Sequence, residues 1–153
     1  MQRMGAAAIL WAVVMSGVVH AGQWNPPLAP GTLLVATEHV SDARFRHTVI
    51  VLAAREEYGS VGFILNRPAS TAGVRNGGFV APERRFKLSI PEGEEARAVL
   101  RFNGYCGWQV GQLEQEIAAG GWRTLEVDLR WAAQQAPATL WDTLQAWWGW
   151  AWL

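Results

Sequence analysis

The first half of the chain carries apolar runs that do not alternate. LLVAT (33–37), HTVIVLAA (47–54) and VGFIL (61–65) are apolar, and the second is β-branched in its middle. A strand with one wet face would show a polar residue at every second position, so these runs predict strands buried on both faces. REEYGS (55–60) separates the second run from the third and predicts an antiparallel hairpin, with Glu56 and Glu57 at its solvated tip. SDARF (41–45) predicts a single helical turn capped by Ser41 or Asp42, with Phe45 dropping into the core. NRPAS (66–70) ends the third strand, because Asn66 favours a turn and Pro68 has no N–H to give a ladder. Thr71 to Arg84 is glycine-rich and shows no clear period.

FKLSI (86–90) and ARAVLRF (96–102) predict two further strands joined by a PEGEE turn (91–95). Leu113 and Ile117 lie one helical turn apart and predict a helix that begins near Gly111 and stops at Gly120 and Gly121. Glu114 and Glu116 then suit the positive end of its dipole. WRTLEVDL (122–129) alternates: Leu125, Val127 and Leu129 share one side, Thr124, Glu126 and Asp128 the other, as in a half-buried strand. A last helix follows Pro137, with Thr139 and Asp142 as an approximate capping box and Leu140, Leu144, Trp147, Trp148 and Ala151 on one face. Strands followed by helix, strand and helix predict an α+β fold with a mainly antiparallel sheet.

The N-terminus follows another pattern. Arg3 precedes an unbroken apolar run, Ala6 to Val19, and Val19 and Ala21 are small residues at the two positions before a cleavage point. Residues 1–21 therefore predict a secretory signal peptide cut after Ala21, residues 22–30 a proline-rich linker, and residues 31–153 one domain. The implied address is periplasmic or secreted; an uncleaved membrane anchor is the alternative, although the run is short for a span. The 13 basic and 13 acidic residues balance without a basic run, which argues against direct nucleic-acid binding. The single cysteine, Cys106, cannot pair within the chain, so stability must come from the core, to which the chain's tryptophans bring large apolar areas.

Two longer segments carry a resemblance. LLVATEHVSDARFRHTVIVLAAREEYGSVGFILNRP is similar to the opening of the YqgE/AlgH family: an aliphatic strand, a serine/aspartate turn (Ser41, Asp42), an arginine–phenylalanine pair (Arg44, Phe45), a second strand, an acidic hairpin and a strand ending in Asn66, Arg67 and Pro68. GYCGWQVGQLEQEIAAGGW resembles the family's second signature through Gly104, Tyr105, Gly107, Trp108, Gly111, Gln112, Leu113, Glu114, Glu116 and Trp122. The resemblance implies a mainly antiparallel, bifurcated sheet rolled into a pseudo-barrel with flanking helices. It also implies a function without an agreed catalytic site; some members are described as transcriptional regulators, for example of exopolysaccharide synthesis. The chain departs from the pattern between Pro68 and Gly104, where the family carries a longer middle with a Gly-Gly-Pro turn. Gly77, Gly78, Phe79 and Val80 resemble a remnant of it, with phenylalanine at the proline position. Members are normally cytoplasmic, unlike a chain with a signal peptide.

The reactive residue types form no catalytic set. A thiol is activated at a helix N-terminus or beside a base, but the expected helix starts several residues after Cys106 and no histidine is near in sequence. Gly104, Gly107 and Gly111 predict a strand-to-helix corner in which Tyr105 and Trp108 fill space on opposite sides and Cys106 is a small packing residue. His39, His47, Glu38 and Asp42 match no compact metal-ligand spacing, and no cofactor motif is present. Asp42, Arg44 and Arg46 suit a capped turn with ion pairs. The C-terminal tail, with Trp147, Trp148, Trp150 and Trp152, is expected to dock over the sheet or to offer an aromatic patch to a partner or a membrane surface. The functional expectation is a non-enzymatic protein that binds a protein or small ligand through the sheet-and-corner surface. The alternatives are a transcriptional regulator, by resemblance, and an enzyme with an unrecognised site.

Overall fold

The structure is a computed structural model that describes residues 27–91 and 97–150. The expected signal peptide, residues 1–21, the expected linker up to residue 26, the turn after Pro91, and Ala151 and Trp152 of the tail lie outside the described residues. Seven strands form one sheet: β1 (Leu33–Ala36), β2 (Val49–Glu56), β3 (Gly59–Ile64), β4 (Val74–Asn76), β5 (Val80–Pro91), β6 (Arg97–Gln109) and β7 (Trp122–Leu125). Among the described residues three α-helices accompany them: α1 (Gln112–Ala118), α2 (Leu129–Gln134) and α3 (Pro137–Trp150). The pairing path runs β4-β6-β3-β2-β1-β7, and β5 pairs with β6 off that path, so the sheet branches at β6. Every pair is antiparallel except β4 with β6. This is the expected α+β fold with a bifurcated, mainly antiparallel sheet; the path does not close on itself.

The unbroken apolar runs are explained by burial on both faces. Leu33, Val35, Val49, Val51, Phe63 and Leu65 fill one cluster, and the intervening Leu34, Ala36, Ile50, Leu52 and Ile64 fill another. Ala132 of α2 and Leu140 and Leu144 of α3 cover the first face. Leu113 and Ile117 of α1 cover the second, together with Phe45, Val40 and Leu28. Leu28 thus ties the end of the proline-rich stretch to the domain. The β2–β3 hairpin is antiparallel as expected and turns between Glu56 and Gly59.

Four expectations change. The segment around Cys106 is not a corner: it is the C-terminal part of β6, which pairs with β3 from Cys106 to Gln109. Gly104, at φ +69°, lets the strand bend and continue rather than end. Tyr105 and Trp108 do fall in opposite clusters, as a strand places residues three apart. The alternation 122–129 does not make one strand. β7 stops at Leu125, opposite the first residue of its four-residue partner β1, and Asp128 then caps α2 by accepting from the Arg130 N–H at 2.9 Å. Leu125, Val127 and Leu129 nonetheless share a cluster. Thr139 lies inside α3, which starts at Pro137, a position where proline's missing N–H costs nothing. The unpatterned stretch 71–84 supplies β4 and the start of β5.

The last helix docks on the sheet. The Trp141 indole donates to the Ala36 carbonyl at 2.8 Å, and Trp147 lies against Trp131 with ring centres 4.6 Å apart. Arg123 sits over the Trp148 ring at 5.2 Å. No helix among the described residues is long and apolar enough to cross a membrane.

Candidate functional site

A cleft of ≈ 400 Å³ opens on the face of the second cluster, and three separated parts of the chain wall it. The turn before β2 contributes Ser41, Asp42, Arg44 and Phe45. The entry to β5 contributes Phe79 and Val80. β6 and α1 contribute Tyr105, Cys106, Gly107, Trp108, Gln112 and Glu116. The two signature segments, distant in sequence, therefore meet here.

The first wall is a capped turn. Asp42 accepts from the backbone N–H of Arg44 at 2.9 Å and from its guanidinium at 2.6 Å, and the side-chain bond holds the Asp42 carboxyl below the usual carboxylate range. Phe45 meets the edge of Phe79 at 5.3 Å and of Trp122 at 5.7 Å. Two cations approach the Phe79 ring: Arg44 at 4.8 Å and Arg67 at 5.6 Å. Arg67 donates to the carbonyls of Arg44 and Arg46, makes no ion pair among the described residues, and is lowered from its ordinary value by burial. Asn66 stitches this wall to the sheet, accepting from Val49 N–H at 2.9 Å and donating to the His47 carbonyl at 2.8 Å.

The opposite wall turns on Glu116. One of its carboxylate oxygens accepts both the Trp108 indole N–H at 3.0 Å and the Trp122 indole N–H at 2.8 Å, and the other accepts from Gln112 at 3.0 Å. Gln112 in turn accepts from the backbone N–H of Gln109 at 3.0 Å. Gly111, the N-cap of α1, has φ +79° and makes no side-chain cap; Gln112 and Glu116 instead link the start of α1 to β6 and to Trp122.

Cys106 borders the cleft with its sulfur turned inward. The residue is 3% exposed and its thiol donates to the Gly77 carbonyl at 3.6 Å. Burial pushes the thiol from an ordinary 9.0 up to about 12, against the smaller pull of Arg67, the Phe79 N–H and Arg44. His47 is engaged elsewhere, with Glu38 at 3.4 Å and the Trp141 ring at 4.1 Å. A neutral, enclosed thiol is a poor nucleophile. Between pH 9 and 12 the folded chain keeps a proton that the unfolded chain has released, so stability falls as pH rises through that window; below it the thiol adds no pH dependence. Cys106→Ala is expected to cost about 1 kcal/mol at neutral pH and to flatten the alkaline fall in urea midpoint between pH 8 and pH 10. An alkaline slope as steep as in the parent would contradict the burial of a neutral thiol.

Of the other signature positions, Leu113 is fully buried, Glu114 pairs with Arg55 across to β2, Pro68 bridges to Arg75, and Trp122 starts β7 beneath Phe45. The sequence reading gave Glu116 a dipole role and missed its service to two indoles; the Trp108–Glu116–Trp122 spacing was the available signal. It also left Phe79 and Val80 without a role. Their wall position depends on Gly77 and Gly78 lying against β6, a contact between segments far apart in sequence.

Comparisons with known proteins agree with this architecture. The AlgH-like family model matches residues 33–92 and, in a second piece, 73–151. The pieces overlap within the stretch between Pro68 and Gly104 that the resemblance marks as short. A UPF0301 protein of Myxococcus xanthus is 32% identical over 160 aligned residues, covering 76% of this chain and 88% of that protein. The alignment is longer than the 153-residue chain, so the relative carries interior residues absent here. A UPF0301 protein of Ruegeria pomeroyi is 31% identical, covering 64% of this chain and 79% of its own. The solution structure of the AlgH protein from Pseudomonas aeruginosa superposes with a TM-score of 0.61 at 23% identity, covering 81% of this chain and 90% of that one. A crystal structure of a Corynebacterium diphtheriae protein gives a TM-score of 0.61 at 19% identity, over 67% of this chain and 78% of that one. The fold is shared with both structures, and on the match of its two signature regions the chain belongs to the AlgH-like family.

Proposed function

We propose that this chain is a non-enzymatic binding protein whose ligand occupies the cleft between the two signature segments. The observation that carries this reading is convergence: Ser41 to Phe45 and Tyr105 to Glu116 wall one cleft of ≈ 400 Å³, within the range of small-ligand sites. Its polar groups are occupied in holding the walls. Asp42 is tied to Arg44, Glu116 to two indoles, and Cys106 is kept neutral by burial. What remains for a ligand is an aromatic surface, from Phe45, Phe79 and Trp108, beside the positive charge of Arg67, since Arg44 is already paired with Asp42. That combination suits a flat apolar body bearing an anionic group.

The fluorescent aromatic sulfonate 1-anilinonaphthalene-8-sulfonate has both features and serves as the probe. The parent chain is expected to bind it saturably. Phe79→Ser is expected to weaken binding about tenfold by removing the ring that Arg44 and Arg67 flank, with the urea midpoint confirming that the fold persists. Equal affinity in the two proteins would place the probe elsewhere and end the cleft reading.

A further inference from the structure

β6 runs past its partner. β5 pairs with it from Pro91↔Arg97 to Val80↔Tyr105 and there leaves the edge, whereas β6 continues to Gln109. On the opposite edge β3 pairs with Cys106 to Gln109 without a register shift. The Gln109 N–H donates to the Gln112 side chain, so it points away from β3. Backbone groups two residues apart in a strand face the same edge, so the N–H and C=O of Gly107 also point away from β3. That edge opens into the cleft, which Gly107 lines, and no described strand lies opposite Gly107 there. Gly107 also borders a second cleft of ≈ 360 Å³, between the β2–β3 hairpin and Tyr105 to Gln109.

Nothing within the described molecule demands a glycine at this position. A Cβ on Gly107 would meet only the Tyr105 ring, at 3.5 Å, and its φ is not left-handed. Gly59, Gly62, Gly78 and Gly104, by contrast, would each drive a Cβ into neighbouring atoms under 3.0 Å away.

We infer that the cleft receives an extended acidic peptide of a partner protein, which adds to the sheet as a short strand along β6 at Gly107, in line with β5. The inference rests on the cleft reading and deepens it. The main-chain donor and acceptor of Gly107 match an extended backbone, the basis of recognition by strand addition. Peptide side chains on either side of the residue opposite Gly107 point to the face that carries Trp108 and Phe45, because neighbouring residues alternate. Arg44 is already paired with Asp42, whereas Arg67, which donates to neutral carbonyls and stands over the Phe79 ring, has no ion pair among the described residues and favours a carboxylate at that end. At the other end Glu116 is already bonded to three donors.

A displayed library of random linear dodecapeptides, selected on the full chain, provides the probe. The expected result is enrichment of peptides with Asp or Glu beside an apolar residue, and slowed hydrogen exchange at the Gly107 amide when a synthetic hit is bound. N-methylation along that peptide should abolish binding at alternate positions and be tolerated between them. Gly107→Pro removes a donor that faces away from the ladder, a position where proline is tolerated, and is expected to weaken the hit about tenfold. If that variant fails to fold, the N-methyl scan and the exchange measurement decide the matter alone. Hits that leave Gly107 exchange unchanged or show a flat N-methyl scan overturn strand addition, as does a library without enrichment. In either case the sulfonate result still decides whether the cleft binds ligand at all. Protection of Gly107 that rises with protein concentration alone would assign the edge to a second copy and overturn the peptide.

Discussion

Gly78→Ala is expected to destabilise the fold by about 3 kcal/mol, at the upper end of what overpacking costs. A Cβ at this position would stand 2.1 Å from the carbonyl carbon of Tyr105 and 2.6 Å from the nitrogen of Cys106, both backbone atoms of β6 that no rotamer change can clear. The adjoining residues cannot move aside cheaply. Gly77 N–H donates to the Asn103 carbonyl at 2.7 Å and the Gly77 carbonyl accepts from Ile64 N–H at 2.8 Å, so the segment is zipped between the end of β3 and the middle of β6. Relief would require pulling Phe79 and Val80 off the sheet, which would also unmake one wall of the cleft. The comparison is Gly73→Ala. Gly73 has φ +72° but nothing within 4 Å, so only the left-handed backbone is penalised, at about 1 kcal/mol. Urea midpoints at constant slope measure both, and sulfonate binding should weaken in the first variant alone. A Gly78→Ala midpoint equal to that of Gly73→Ala would mean that the segment does not lie against β6 so closely.

The same contact shows why part of this fold is legible in sequence and part is not. β1, β2 and β3 are written into their apolar runs because both faces of those strands are buried, and a run of Leu, Ile and Val satisfies both at once. The turn at Asp42 is equally local, since its cap is two residues from what it caps. β4 is three residues long and has no period of its own; Val74 to Asn76 becomes a strand because Arg101 to Asn103 of β6 lies alongside. At Gly104 the difficulty is reversed. Glycines between aromatic residues read as an end, yet the paired edge of β3 carries the strand four residues beyond Tyr105. For 122–129 the alternation correctly groups Leu125, Val127 and Leu129, but grouping side chains does not say whether a strand or a capped helix presents them.

The candidate site was legible as two lists of residues and not as one place. Nothing in the spacing of Ser41 to Phe45 says that it faces Tyr105 to Glu116, because the approach is made through β2 and β3 and through the β5 entry. The character of the site follows from that arrangement. Cys106 reads in sequence as a small packing residue, and its depth in the structure follows from Gly77 and Phe79 passing over it. The proposed binding role draws on that state of the site, a neutral thiol beside carboxylates that are already bonded.

Glu116→Ala is expected to cost about 3 kcal/mol, because it removes three hydrogen bonds from one carboxylate and strands two indole donors. Trp108 and Trp122 are 6% and 3% exposed, so their N–H groups cannot turn to bulk water without moving rings that pack against Phe45 and each other. Glu116→Gln separates charge from geometry. Its carbonyl oxygen can take the place of the oxygen that serves both indoles, but its amide would face the Gln112 amide, which already donates to Glu116 and whose oxygen is held by Gln109 N–H. One bond of three is lost, and the cost should be about 1 kcal/mol. Urea midpoints rank the variants, and tryptophan emission should shift to the red in Glu116→Ala as the two indoles gain water. The ranking parent, then Gln, then Ala would identify Glu116 as the brace that joins the Gly-Tyr-x-Gly-Trp strand to α1 and to Trp122. A Glu116→Ala midpoint within about 0.5 kcal/mol of the parent, the scatter ordinary surface substitutions show, would remove it from that role and leave the aromatic packing to hold the wall unaided.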